Sequence, residues 1–201
     1  MASDINKTRM RDTRILVGAL LLAVVLTEPA LHEGSFLYEL LRLAGYALLI
    51  ACAIGRVYST AFIGGIKNEK LITVGPYSMC RNPLYFYSLL GACGVGLLSG
   101  EIIPTVVVTG GFLFIYKNLI SREEEFLSEK FGASFAAFKT STPRLLPDVK
   151  KYSCPDELLF QPRFFNMAVR DAVWWFVPVP FYELIHALHH AGIIKPLFSL
   201  L

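Results

Sequence analysis

Residues 102–120 run apolar almost without interruption, and stretches 15–31, 36–57, 84–99 and 167–194 have the same character. A helix crossing the hydrocarbon core of a bilayer needs roughly 20 apolar residues, within a range of about 17 to 25. The second, fourth and fifth stretches meet that length. The first is purely apolar only as far as Leu26 and then meets Glu28 and Pro29. The third is short, with Pro83 placed for a first helical turn. A soluble core is the poorer use of so much apolar chain. Of 201 residues, 54% are hydrophobic and 17% charged, against about 25% charged in ordinary soluble domains. Disorder is excluded by the same arithmetic, because a chain this apolar packs.

The charges alternate along the chain. Lys7, Arg9, Arg11 and Arg14 precede the first stretch, and Lys67, Lys70 and Arg81 follow the second. Lys117, Arg122, Lys130, Lys139, Arg144, Lys150 and Lys151 cluster at and after the end of the fourth. The connections 28–35 and 99–101 carry no Lys or Arg. Alternation of this kind is what the positive-inside rule asks of a multi-pass protein with its N-terminus in the cytoplasm. A soluble bundle has no reason to show it. No small-x-small cleavage site follows Leu26, so the first stretch reads as a retained span rather than a signal peptide. In the fifth, Trp174, Trp175 and Phe176 sit beside Pro178 and Pro180, which predicts one kinked helix or two re-entrant halves.

The expected fold is an all-α integral membrane protein with about five transmembrane or re-entrant helices. It reads as a single membrane-embedded domain: N-terminal spans at 1–66, a core at 67–150 and a kinked or re-entrant helix at 151–201. The net charge of +3 is too localised to be a nucleic-acid footprint. The four cysteines show neither a C-x-x-C nor any metal-ligand spacing and read as small thiols.

Two cytoplasmic segments carry polar chemistry. In the first, Gly75-Pro76-Tyr77 marks a turn and Pro83 opens a helix, leaving Arg81 and Asn82 at its mouth. Helix N-termini are natural seats for anions, while an ordinary N-cap and a tyrosine belt of Tyr77, Tyr85 and Tyr87 use the same residues structurally. In the second, Glu123, Glu124 and Glu125 stand where the fourth helix leaves the bilayer, followed by a stop or bend at Gly132 and by Pro143-Arg144. Such a cluster is a solvated helix end, or a holder for an ammonium group or a ribose diol.

Taken in order, Gly75-Pro76-Tyr77, Arg81-Asn82-Pro83-Leu84-Tyr85, Glu123-Glu124, Phe131-Gly132 and Pro143-Arg144 resemble the integral-membrane methyltransferases. That superfamily includes the isoprenylcysteine carboxyl methyltransferases and the phospholipid N-methyltransferases. The resemblance covers residues 71–147 and implies an enzyme that holds S-adenosylmethionine at its cytoplasmic face. It implies cofactor binding by Leu71, Ile72, Tyr77, Asn82, Pro83, Leu84, Tyr85 and Glu123. The acceptor would be a lipid-like or small amphipathic molecule arriving from the membrane, with membrane lipids as partners and no nucleic acid.

Two departures shape the expectation. Asn82 stands where the family usually has His, so anchoring is expected there without acid–base work. Leu119 stands where the isoprenylcysteine enzymes place an Arg for the substrate carboxylate, so an amine acceptor is favoured over a carboxyl group. Glu124 is the candidate to bind or deprotonate an amine, and Arg144 its counterpart for an anion. Membrane sterol reductases share part of the pattern and use a nicotinamide cofactor, and a non-catalytic membrane scaffold is a further reading. His186, His189 and His190, with Glu183 one turn earlier, have a spacing that could hold a metal. They read instead as interfacial anchors, and no metal is expected. Arg42 and Glu39 could pair or line a cavity within the second stretch.

Overall fold

The computed structural model describes residues 18, 22–66, 69–158 and 161–200. Residues 15–17 and 19–21 of the first apolar stretch lie outside the described residues, as do Lys7, Arg9, Arg11, Arg14 and Lys67. The described chain is mostly helical: β1 (Thr27–Pro29), α1 (Phe36–Ile63), α2 (Pro76–Met79), α3 (Pro83–Leu97), α4 (Ile102–Phe131), α5 (Ala133–Ser141), α6 (Pro162–Val173), α7 (Pro178–His190) and β2 (Phe198–Leu200).

Among the described residues, α1 and α4 are long and apolar enough to cross a membrane. Only 22% and 28% of their most apolar windows are buried within the chain. A soluble core helix buries its apolar face; here Leu37, Leu40, Leu43, Ile50 and Ile54 of α1, and Ile103, Val106, Val107 and Phe114 of α4, face outward. The 15-residue α3, at about 1.5 Å per residue, falls short of a full crossing. The fifth stretch is broken, with the 3-10 turn Trp174–Phe176 separating α6 from α7. Pro178 occupies the first turn of α7, where a missing N–H costs nothing.

The chain's packing resolves into two compact units, one of residues 1–50, 89–115 and 175–201, the other of 51–88 and 116–174. In the first, the Ser35 hydroxyl accepts the Tyr38 N–H and caps α1. Gly45 and Gly94 let α1 and α3 approach backbone to backbone, since a Cβ on Gly94 would lie 2.8 Å from the Gly45 carbonyl oxygen. The Tyr182 hydroxyl donates to the Ser99 carbonyl at 3.1 Å and lies 3.3 Å from that of Tyr38. β1 and β2 pair in parallel, Thr27 opposite Phe198. Arg42 pairs with Glu183 rather than with Glu39.

Glu101 sits buried at the start of α4, with the Thr27 hydroxyl 3.1 Å from both of its carboxylate oxygens. Burial pushes its pKa up to about 7, with the Thr27 hydrogen bond pulling part of the way back. Between the ordinary value of 4.5 and about 7, the unfolded chain gives up this proton before the folded one does. Stability therefore falls as pH rises through that window and levels off above it. The Glu101 contribution is at most roughly 3 kcal/mol at about 1.4 kcal/mol per pH unit. Thermal unfolding of detergent-solubilised protein across this range should show the decline, and Glu101→Gln should flatten it.

Candidate cofactor site

The second unit holds all the residues that the sequence marked for cofactor and acceptor. Its foundation is the loop before α3. Gly75 adopts φ +60°, and a Cβ there would fall 2.3 Å from the Phe62 ring, so only glycine fits the turn. Residues 148–153 strap the turn down. Gly75 N–H donates to the Ser153 carbonyl at 2.6 Å, Ser153 N–H donates to the Ser78 hydroxyl at 2.9 Å, and Asp148 N–H donates to the Met79 carbonyl at 3.0 Å. Tyr58 and Tyr152 join hydroxyl to hydroxyl in the same unit. Pro83 then opens α3, and the Asn82 carbonyl accepts the N–H groups of Tyr85 and Phe86, each at 3.1 Å.

Glu124 ties this loop to α4. Its Oε1 accepts from Arg81 Nε and Asn82 Nδ2, both at 3.0 Å, and its Oε2 pairs with Arg144 Nε at 3.3 Å. The carboxylate is 9% exposed and the Arg81 side chain 10%. Arg81 also donates from Nη1 to the carbonyls of Lys139 and Thr142, at 2.9 and 2.5 Å. Asn82 Nδ2 reaches the Arg144 carbonyl at 2.9 Å, and Arg144 Nη2 donates to the Ser121 hydroxyl at 2.7 Å. Glu124 and Arg144, named from sequence as acceptor-handling groups, are thus engaged with each other and with the loop. Asn82 points the same way, its amide turned into this network.

The remaining residues make a different environment. The Tyr77 side chain is buried, and its hydroxyl has no hydrogen-bond partner among the described residues. Burial holds its pKa far above the ordinary phenol value, and the neighbouring Cys80, Glu123 and Tyr85 push the same way. That places Glu123 and Tyr85 within electrostatic reach of Tyr77. Tyr85 also packs against Tyr116, ring centroids 5.3 Å apart. Leu71 and Ile72 are half-buried on the approach to the turn. Burial pushes the Cys80 thiol up to about 11, partly offset by the Asn82 backbone N–H and the Arg81 charge, so it is a neutral thiol at neutral pH and not a nucleophile.

A buried hydroxyl without a partner among the described residues, a half-buried carboxylate and a tilted pair of tyrosine rings are chemically compatible with a ligand such as S-adenosylmethionine, which has charged ends and an aromatic base. Two contributions escaped sequence reasoning. Tyr116 lies within an apolar stretch that carries no local sign of a site, and no local pattern joins Arg81 to a glutamate 43 residues away.

Residues 36–134 match the family model described as phospholipid methyltransferase. The chain is 29% identical to the cobalt-zinc-cadmium resistance protein CzcN of Cupriavidus metallidurans over 98% of this chain and 90% of that one. It is 26% identical to the nickel-cobalt-cadmium resistance protein NccN of Alcaligenes xylosoxydans xylosoxydans, over 99% and 92%. A shorter match, 27% over 40% of this chain and 34% of the other, joins it to the protein-S-isoprenylcysteine O-methyltransferase of Schizosaccharomyces pombe. No solved structure matches significantly.

Removing the Glu124 carboxylate leaves the buried Arg81 guanidinium without its counter-charge. Breaking such a pair costs about 3–5 kcal/mol. Glu124→Ala should therefore lower the unfolding temperature sharply, and Glu124→Gln, which keeps an acceptor for Arg81 and Asn82, should lower it less. Thermal melts of the two variants beside Glu125→Ala, at an exposed neighbour, would check the order.

Proposed function

We propose that this chain, whose residues 36–134 match the phospholipid methyltransferase family model, is a membrane enzyme that methylates a lipid-like or small amphipathic acceptor from S-adenosylmethionine. The carrying observation is the buried Tyr77 hydroxyl, which has no hydrogen-bond partner among the described residues, with Tyr85 and Glu123 near enough to act on it electrostatically. Tyr77, Tyr85 and Glu123 would hold the cofactor, with Leu71, Ile72, Pro83 and Leu84 as its apolar surround and Asn82 fixing the loop. Bound there, S-adenosylmethionine would supply an electrophilic methyl group.

Transfer between two positioned groups draws most of its acceleration from orientation and water exclusion. The rigid loop suits that task. Glu124 and Arg144 serve as positioning residues: Glu124 spends its carboxylate on Arg81 and Asn82 of the loop, and Arg144 pairs with Glu124 and donates to the Ser121 hydroxyl, both on α4. An amine acceptor fits better than a carboxylate, because Leu119 is buried and apolar where a carboxylate-binding Arg would stand. Such an amine would be kept neutral by an apolar setting rather than by a dedicated base. The charge alternation supports several passes, with the N-terminus and the cofactor site on the cytoplasmic side. We read the metal-resistance names of CzcN and NccN as pointing to the setting in which the activity is used, with methyl transfer as its chemistry.

Calorimetric titration of S-adenosylmethionine and S-adenosylhomocysteine into detergent-purified protein should show saturable binding. Glu123→Ala or Tyr85→Ala should weaken it tenfold or more, about 1.4 kcal/mol. A folded wild type that binds neither ligand would overturn the proposal, and binding of a reduced nicotinamide dinucleotide phosphate in their place would redirect it to a reductase.

A further inference from the structure

The first unit contains a second cluster of chemistry that methyl transfer does not use. His186 and His190 stand one turn apart on α7, with ring centroids at 4.7 Å, so both imidazoles lie on one face. Both face Glu33, from the connection between β1 and α1. His186 Nε2 lies 2.6 Å from Oε1 and His190 Nε2 lies 2.7 Å from Oε2. The ligand atoms of the three residues all lie within 4.8 Å of one another. Glu183, the acid that sequence spacing placed with these histidines, is instead occupied by Arg42.

We propose that Glu33, His186 and His190 form a binding site for a divalent cation of borderline softness, such as Zn2+ or Co2+. Two imidazole nitrogens and a carboxylate are a ligand set that such ions favour, and without a thiolate the soft monovalent metals are disfavoured. Metal–ligand bonds of about 2.0–2.2 Å put neighbouring ligand atoms of a tetrahedral site roughly 3.3–3.6 Å apart. The nitrogen-to-oxygen distances of 2.6 and 2.7 Å would open by about 0.6–1.0 Å, a side-chain adjustment for ligand atoms already within 4.8 Å of one another. Glu33 is held in place from both sides. Leu197 N–H donates to the Leu26 carbonyl at 2.8 Å, β1 pairs with β2, and Ser35 N–H donates to the His32 carbonyl at 2.9 Å. The site is reachable, with the His190 side chain 61% exposed and Glu33 37%. Three protein ligands leave coordination positions to water, which suits reversible uptake better than a closed structural site. His189, between the two ligands, is turned away and lies 3.0 Å from the Val25 carbonyl oxygen.

The same three residues would also serve as a hydrogen-bond clasp with no ion, in which both imidazoles donate to Glu33. Titration separates the two. Tag-free, chelator-treated protein in detergent, titrated with Zn2+ and read by calorimetry, should take up one ion per chain and unfold at a higher temperature with the ion bound. Added Co2+ should give the visible absorption of a low-coordinate site. His190→Ala and Glu33→Gln should each weaken Zn2+ binding tenfold or more, while His189→Ala leaves it unchanged. Melting curves without metal establish that the variants fold, and S-adenosylmethionine binding should be unaffected in all three. No Zn2+ uptake by the wild type, uptake undiminished in both His190→Ala and Glu33→Gln, or an equal loss in His189→Ala would each overturn the site.

Discussion

The Glu124 carboxylate is the interaction on which the candidate site depends. It is buried near the end of a membrane-length helix, where an unpaired charge would be untenable, and it is stable there because Arg81, Asn82 and Arg144 converge on it. Those three come from the loop before α3 and from the segment after α5. One carboxylate therefore fixes three parts of the chain, and the loop that presents Tyr77 inherits that rigidity. The neighbouring Glu123, half-buried, acts electrostatically on the Tyr77 phenol and is the acid we propose for the cofactor.

Much of this organisation was legible in the sequence where the signal is local. Pro83 opens α3, Gly132 closes α4, and the prolines of the fifth stretch mark its break, because each follows from the backbone freedom of a single residue. The two membrane-length helices follow from composition alone. The short α3 and the broken fifth stretch made a count of five spans an expectation rather than an observation. The set Leu71, Ile72, Tyr77, Asn82, Pro83, Leu84, Tyr85 and Glu123 came from the resemblance carried by an ordered pattern of motifs, and all of these residues fall within one compact unit.

What stayed hidden was pairing at long range. Nothing near Arg42 indicates that it takes Glu183 rather than Glu39, and nothing near Glu33 indicates that it meets two histidines more than 150 residues later. Charged partners in a fold are chosen by where backbones approach, as at Gly45 and Gly94, and that choice has no periodicity to read. That Glu124 is buried against Arg81, Asn82 and Arg144, rather than open to an acceptor, showed only in the structure.

The central claim is that the second unit transfers a methyl group. Membranes containing the protein, incubated with S-adenosylmethionine labelled in its methyl group and then extracted, test it most directly. Label entering an amphipathic product and surviving alkali, as an N-methyl group does and a methyl ester does not, is the predicted result, with the signal lost in Glu123→Ala. Transfer no greater from wild-type membranes than from membranes bearing Glu123→Ala would contradict the account.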